Sequence, residues 1–510
     1  MRSNWQTYKT KSMTANMLHT LLFMALLLMV GCKDYDEDDA LESYRQDNPE
    51  ILVKETSALR LQPEDFTANA YDGMIVTDKP WDGLSPTALS IFHVLAKTMG
   101  GIFDNFIAGQ VPALDKLFEA KAGVAGQGGH NWQIESYVFN YRSKSARGED
   151  VVLTGRVTFP NAIAEGAGHQ VKSLTLFMHH AVPIVGLMPS QVLDLWTLRT
   201  FYNEAIIQPD GQGLGANLDE DYYCTVSSNV LARQMADCTL AALEVMRRHG
   251  VTLADNGHSI CSGCSLGAAT PLAFAKYYET EASPSFRQAI KLDAVYTGCG
   301  PVDYAACIRY FSDHPESNAM LSKSMVFSLA ALTPNQLYGY RAQDFVNPTM
   351  LNTQVEYEGR TMSYYEAEAK YFVNALGTNK NMPNPKKLSE ILAPDMLTQD
   401  GQLDGNSPKT QALLRVLAEQ GNLSGWLPTT NIYLVHGQQD DAIPVQQIRK
   451  CYEALSNGGE LPNVHYRETS VLPLFAELVK LPKAGLMHLI AAVPLIDIYM
   501  KEDPSKEFKK

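Results

Sequence analysis

Along most of the chain, short apolar runs alternate with stretches of helical period. Trp132 to Arg142 and Val151 to Pro160 read as two strands joined by a polar turn around Ser145 to Glu149, which predicts an antiparallel hairpin at a sheet edge. Beyond them, apolar strands at Leu174 to Met178, Ala205 to Gln208, Gly257 to Ser262, Leu292 to Thr297 and Ile432 to Val435 are interleaved with helical patterns at Val230 to His249 and Ala268 to Glu279. Such alternation predicts an α/β fold: a mostly parallel central sheet with helices on both faces. Between Gly300 and about Thr430 no convincing parallel strand occurs, but several helical pieces carry Tyr, Met, Phe and Leu on apolar faces. A structureless loop of that length is implausible, so the pattern predicts an inserted helical subdomain. Upstream, Leu89 to Ala122 has apolar residues at helical spacing and ends in a Gly-rich segment, which predicts a helical arm packed onto the core.

The first residues do not belong to any domain. Arg2, Lys9 and Lys11 precede an apolar run from Leu21 to Val30, too short to span a bilayer comfortably and ordered as a secretory signal is. Leu28-Met29-Val30-Gly31-Cys32 resembles the lipobox of bacterial lipoproteins, which implies lipidation at Cys32 and anchorage to a bacterial membrane. The acidic run Lys33 to Asp39 is a solvated tether; in some Gram-negative lipoproteins a similar stretch marks export to the outer face of the outer membrane. The expected organisation is a signal peptide (1–31), an acidic tether (32–60), an N-terminal helical arm (61–130), the core in two parts (131–300 and 429–510) and a helical cap inserted between them (301–428).

Composition narrows the partners. With 45% hydrophobic and 19% charged residues the 510-residue chain buries a sizeable core, and a formal net charge of −14 without a basic stripe argues against nucleic acid as a partner. After Cys32 seven cysteines remain, and none has metal-ligand spacing; Cys261 and Cys264 read as packing residues of a strand and turn. No metal or cofactor is expected.

Gly263-Cys264-Ser265-Leu266-Gly267 lies between a predicted strand and a predicted helix. A serine hydroxyl is a poor nucleophile unless it stands clear of the sheet, near a base and beside backbone N–H groups, and a strand-turn-helix elbow with small flanking residues provides this. Pro271 fits the first turn of the following helix. Against the assignment, His258-Ser259-Ile260-Cys261 is more polar than a buried parallel strand is expected to be.

A second segment, His436-Gly437-Gln438-Gln439-Asp440-Asp441-Ala442-Ile443-Pro444, resembles the H-G-x-x-D-x-x-V-P stretch of α/β-hydrolases. That resemblance implies Asp440 as the acid of a catalytic triad, with Asp441 as its rival and His436 structural. Triads of this family run Ser, Asp, His, which leaves His465 and His488. His465 alternates within an edge-strand pattern, whereas His488 follows Gly485-Leu486-Met487 and precedes an apolar helix, so His488 is the expected base. Oxyanion donors are expected from the N–H of Leu266 and from the loop His179-His180-Ala181, where the choice between His180 and Ala181 stays open because the usual Gly is missing. Pro209-Asp210-Gly211-Gln212-Gly213-Leu214-Gly215 resembles the P-D-x-x-G-x-G turn of hydrolases and lacks the ending of a nucleotide loop.

Together these segments resemble the microbial secretory-lipase branch of the α/β-hydrolases over about residues 130 to 500. The resemblance implies a serine esterase or lipase acting on a small-molecule, glycan or lipid ester, without a cofactor. A serine peptidase of the prolyl-oligopeptidase type and a non-catalytic surface binding lipoprotein that kept the fold are the alternatives.

Overall fold

The computed structural model describes residues 51–63, 108–119, 130–163, 168–179, 188–191, 193, 195–317, 319–320, 322–374, 381–421, 423–438, 440, 442–469, 498, 501 and 503–508. Its strands are β1 (Leu52–Leu61), β2 (Trp132–Lys144), β3 (Asp150–Ala162), β4 (His169–Met178), β5 (Glu204–Pro209), β6 (Val251–Cys264), β7 (Leu292–Gly298), β8 (Gln354–Tyr357), β9 (Arg360–Ser363), β10 (Asn431–Gly437) and β11 (Val464–Thr469). Nine of them form one sheet in the order β1-β2-β3-β5-β4-β6-β7-β10-β11. The first strands pair antiparallel, and from β5 through β4, β6, β7 and β10 to β11 all neighbours are parallel. Consecutive parallel strands require crossovers, so their C-terminal ends meet at one rim of the sheet.

Alternation divides the two faces. Leu174, Leu176, Cys261, Val295, Ile432 and Leu434 pack on one side beneath α1 (Ser228–Arg248) and α2 (Ala269–Thr280), which α3 (Pro284–Ile290) follows in the chain. On α1 the buried residues Leu231, Met235, Ala242, Val245 and Met246 recur at helical spacing, so the helix keeps one apolar stripe against the sheet. The opposite face carries Phe177, Ile260, Cys264, Tyr296, Tyr433 and Val435. There Trp196 stacks on Phe177 with ring centres 4.2 Å apart, and Tyr433 is sandwiched between Tyr296 (4.7 Å) and His465 (4.8 Å). The two cysteines of the Cys-x-x-Cys therefore fill opposite faces of the sheet.

Between β7 and β10 the chain builds a separate core. Helices α4 (Tyr304–Asp313), α5 (Ser322–Phe327), α6 (Pro348–Asn352), α7 (Tyr364–Tyr371), α8 (Leu388–Ile391) and α9 (Pro408–Gln420), with the turns between them, bury Phe311, Met325, Phe327, Phe345, Tyr364, Met396 and Leu413, meeting the sheet part through Ala146, Cys224, Val226, Ala269, Ala442 and Ile443. Within this core Lys323 and Glu368 form an ion pair of 2.9 Å, and Lys323 Nζ also donates to Tyr364 Oη at 2.9 Å. Burial pulls the Lys323 ammonium below its ordinary range. The return to β10 is fastened by Glu279 at the end of α2: one carboxylate oxygen accepts the N–H groups of Thr429 (2.9 Å) and Thr430 (2.7 Å), the other the indole N–H of Trp426 (2.8 Å). The last helix, α10 (Val445–Leu455), links β10 to β11.

Two features differ from the sequence pattern. Residues 52–61, expected within the acidic tether and the start of the arm, form the edge strand β1, registered on β2 from Leu52↔Tyr141 to Leu61↔Ile134. Its residues Lys54, Glu55, Thr56, Ser57 and Arg60 are too polar to signal a strand, and an edge position tolerates them because one side faces solvent. The inserted region also contains a small hairpin, β8-β9, besides its helices. Of the expected arm, residues 108–119 are helical; Asp115 accepts the indole N–H of Trp132 at 2.9 Å, and Phe118 stacks on His169 at 4.4 Å. The signal segment, Cys32, the acidic run and most of the arm lie outside the described residues. Among those described, no helix is long and apolar enough to cross a membrane.

Candidate active site

In the polar strand β6 the buried hydroxyl of Ser259 is satisfied by a carbonyl: its Oγ donates to Ile290 O. The strand ends at Cys264, and Ser265 turns sharply into a single 3-10 turn before α2. Ser265 has φ +52°, a left-handed backbone that a non-glycine residue adopts only when its surroundings enforce it. Those surroundings are visible in the flanking glycines. A Cβ on Gly263 would lie 2.4 Å from Gly267 O, and one on Gly267 would lie 2.3 Å from His179 O and 2.6 Å from Met178 O. Both positions are closed to any side chain, so the turn folds tightly against the end of β4.

Strand β7 braces the turn from the other side. Thr297 Oγ1 faces the carbonyls of Ala268 (2.6 Å) and Gly263 (2.9 Å), one on each side of Ser265, and donates to this pair. A Cβ on Gly300 would sit 1.8 Å from Ser265 O, and one on Gly298 would sit 1.7 Å from Val435 O. Backbone of β6, β7 and β10 therefore meets here in direct contact. Ser265 itself is half-buried, while its neighbours Cys264 and Leu266 are buried.

Two strands along, β10 delivers Asp440. Its Oδ1 accepts the N–H groups of Ile443 (2.8 Å) and Ala442 (3.0 Å), which folds the segment 440–443 around the carboxylate. His436 is fully buried; its Nε2 lies 3.0 Å from Ile443 O and 3.7 Å from Asp440 Oδ2, so the ring buttresses the same loop. The charge on Asp440 is felt across the rim. The thiol of Cys299, at the exit of β7, is pushed well up by burial first and then by Asp440, and that of Cys307 on α4 rises through burial, Asp303 and Asp440. Ser265 and Asp440 thus stand on the same rim, on β6 and β10 with only β7 between them, which the interstrand spacing makes about 10 Å of sheet.

The loop after β4 starts beside the elbow. His179 is buried, its Nε2–H donates to Asp210 O at 2.8 Å, and its ring stacks on Tyr223 with centres 5.7 Å apart, so its side chain is committed to packing. The turn after β5 needs its glycines: Gly211, Gly213 and Gly215 have φ of +90°, +78° and +56°, and a Cβ on Gly213 would lie 2.2 Å from Tyr223 N. Asp210 in that turn accepts Ser190 N–H at 2.9 Å through Oδ1. His465 is held in the aromatic stack on Tyr433 at the sheet edge, on the last strand. His488, Asp441, His180 and Ala181 lie outside the described residues. Among the described residues no cluster of His, Cys, Asp and Glu suited to a metal ion occurs.

Sequence inspection misses the bracing residues Thr297 and Gln447. The latter, on α10, bonds to backbone groups of residues 300–303, and no motif marks it.

No protein-family model matches the sequence, and no curated protein matches it. The structure is similar to solved ones. The rice cell wall degrading esterase LipA from Xanthomonas oryzae superposes with a TM-score of 0.51 at 16% identity, covering 76% of this chain and 92% of that one. Its ligand-bound form gives the same values. A putative hydrolase from Legionella pneumophila matches with a TM-score of 0.51 and 16% identity over 74% of this chain and 90% of its own. At such identity the likeness speaks for architecture, and with the parallel sheet, its helices and the elbow at the end of β6 it establishes that the chain has the α/β-hydrolase fold.

Proposed function

We propose that the protein is a serine hydrolase that cleaves carboxylic esters, with Ser265 as nucleophile, Asp440 as the acid of the triad and His488 as the base. The observation that carries this reading is the backbone of Ser265: a left-handed serine between a parallel strand and a helix, squeezed by Gly263, Gly267 and Gly300. Strain of this kind persists only where neighbouring structure enforces it, and it concentrates at functional sites.

In the proposed reaction His488 takes the proton from Ser265 Oγ as the oxygen attacks the ester carbonyl. Asp440 orients the imidazole and stabilises its charged form. The N–H of Leu266 and one from the His180-Ala181 loop hold the oxyanion, each such contact being worth about 2.7–4 kcal/mol. His488 then protonates the leaving alcohol, and water repeats the sequence on the acyl-enzyme. The structurally similar LipA, described as a rice cell wall degrading esterase, supports an ester as substrate, which we take to be that of a lipid or glycan. The lipobox-like segment at Cys32 supports attachment to a bacterial membrane, and the acidic run Lys33 to Asp39 supports the outer membrane.

Hydrolysis of p-nitrophenyl esters of graded chain length beside aminoacyl-proline amides, wild type against Ser265→Ala, tests the reading. Ester turnover lost in the Ser265→Ala variant is expected. Amide turnover without ester turnover would replace the esterase by a peptidase, and absence of both would leave a binding protein.

A further inference from the structure

We infer that Gln447 is a positioning residue: its buried side-chain amide fixes the segment Gly300 to Asp303 against the turn that carries Ser265 and so sets the spacing between Ser265 and Asp440. This rests on the serine-hydrolase reading and adds a component to its machinery. Gln447 lies in the first turn of α10 and is 2% exposed. Its Oε1 accepts the N–H groups of Val302 (2.9 Å) and Asp303 (3.2 Å), and its Nε2 donates to Gly300 O at 3.0 Å. Two donors on one atom and an acceptor on the other fix the orientation of the amide.

Both ends of this bridge reach the reacting groups. Gly300 is in backbone contact with the Ser265 carbonyl, where not even a methyl group fits. Cys299 N–H donates to Val435 O at 3.0 Å, which carries the β7–β10 ladder one residue beyond the strand. On the other side, α10 begins at once after the loop that wraps the Asp440 carboxylate through Ala442 and Ile443. The amide therefore joins the acid's loop to the nucleophile's turn across the exit of β7. Asp303, held by the same amide, caps α4 through its own side chain at Ala306 N (2.8 Å), so the bridge also fixes where the inserted helices depart. No other side chain reproduces the pattern: glutamate keeps the two acceptor contacts but turns a second negative oxygen towards Gly300 O, and methionine fills the volume with no hydrogen bonds.

Gln447→Glu and Gln447→Met are compared with wild type at a temperature well below unfolding. Two quantities are read: the rate at which a fluorophosphonate probe labels Ser265, and kcat and KM for a p-nitrophenyl ester. Displacement of the elbow is expected to lower the labelling rate and kcat by about 10–100-fold with KM within about twofold. The glutamate variant, isosteric with glutamine, decides the matter if the methionine variant does not fold. Folded variants that label and turn over at the wild-type rate, or that change only KM, overturn the inference while the hydrolase reading stands. A wild type whose Ser265 is not labelled overturns both.

Discussion

Gly300→Ala asks whether backbone contact behind Ser265 sets its reactivity. A methyl group there would stand 1.8 Å from the Ser265 carbonyl oxygen and 2.6 Å from the Ala268 Cβ. Tolerable separation begins at about 3.0 Å, so the two backbones must part by at least about 1.2 Å. Neither contact is the end of a flexible side chain. Misplacement by about 1 Å near the reacting atoms costs about 100-fold in rate, and overpacking of a tight site costs about 1–3 kcal/mol of stability. The assay is the fluorophosphonate labelling rate of Ser265, with thermal unfolding measured on the same samples. Gly405→Ala serves as control: a Cβ meets nothing within 4 Å there and the backbone is not left-handed, so labelling is unchanged and stability is equal or higher by up to about 1 kcal/mol. A folded Gly300→Ala protein that is labelled as fast as wild type would refute the claim that this contact holds Ser265 in place.

Three further outcomes are expected. Asp440→Asn keeps an acceptor for the Ala442 and Ile443 N–H groups, so the fold persists, but the uncharged amide cannot stabilise an imidazolium and kcat for a p-nitrophenyl ester falls about 10⁴-fold; turnover within tenfold of wild type would remove Asp440 from the triad. Lys323→Met leaves Glu368 buried without its cation and costs about 3–5 kcal/mol, read by hydrogen exchange as lost protection in α4 to α9 while β4 to β7 and β10 keep theirs; equal loss in the sheet would show that the two cores are one cooperative unit. Arg449 binds Glu468 through contacts of 2.5 and 2.8 Å and holds its carboxyl at about 2, below its ordinary value of 4.5. A depressed carboxylate contributes fully above its unfolded value and loses its contribution as pH falls through the folded one. In Arg449→Met the stability change between pH of about 4.5 and about 2 is therefore shallower, by at most about 1 kcal/mol because Arg449 is half-exposed; superimposable acid titrations would count against the pair.

Where burial is two-sided the sequence signals the structure well. Leu174, Leu176, Val295, Leu434 and Val435 lie in strands buried on both faces, and continuous apolar runs are what such strands require. The elbow is legible for a related reason: its glycines are demanded by backbone contact, and a serine between them after a strand has few other uses. Edges and short pieces are less legible. β1 shows a mixed polar pattern because its outward residues meet water, and the hairpin β8-β9 has only four residues per strand. A signal for that hairpin does exist in Glu358 and Gly359, both left-handed at φ +49° and +75°, the two-residue turn that such strands prefer. Thr297 and Gln447 cannot be recognised from the chain alone, since their roles arise from carbonyls and N–H groups that only the folded register brings within reach. His465 is legible as an edge-strand residue, and its stack on Tyr433 follows from the parallel register Tyr433↔His465.

Neighbouring parallel strands β7 and β10 need only a crossover that carries the chain from the end of one to the start of the other. The sheet part holds the chain that fills that crossover at both junctions, Gly298 to Asp303 at departure and the Glu279 grip on Thr429 and Thr430 at return, and touches it in between where Gln336 donates to Ala146 O and Ser227 donates to Gln420. The central scaffold thus works as a socket whose two terminals fix where the inserted module starts and ends, so that the β7–β10 register does not depend on the module's length.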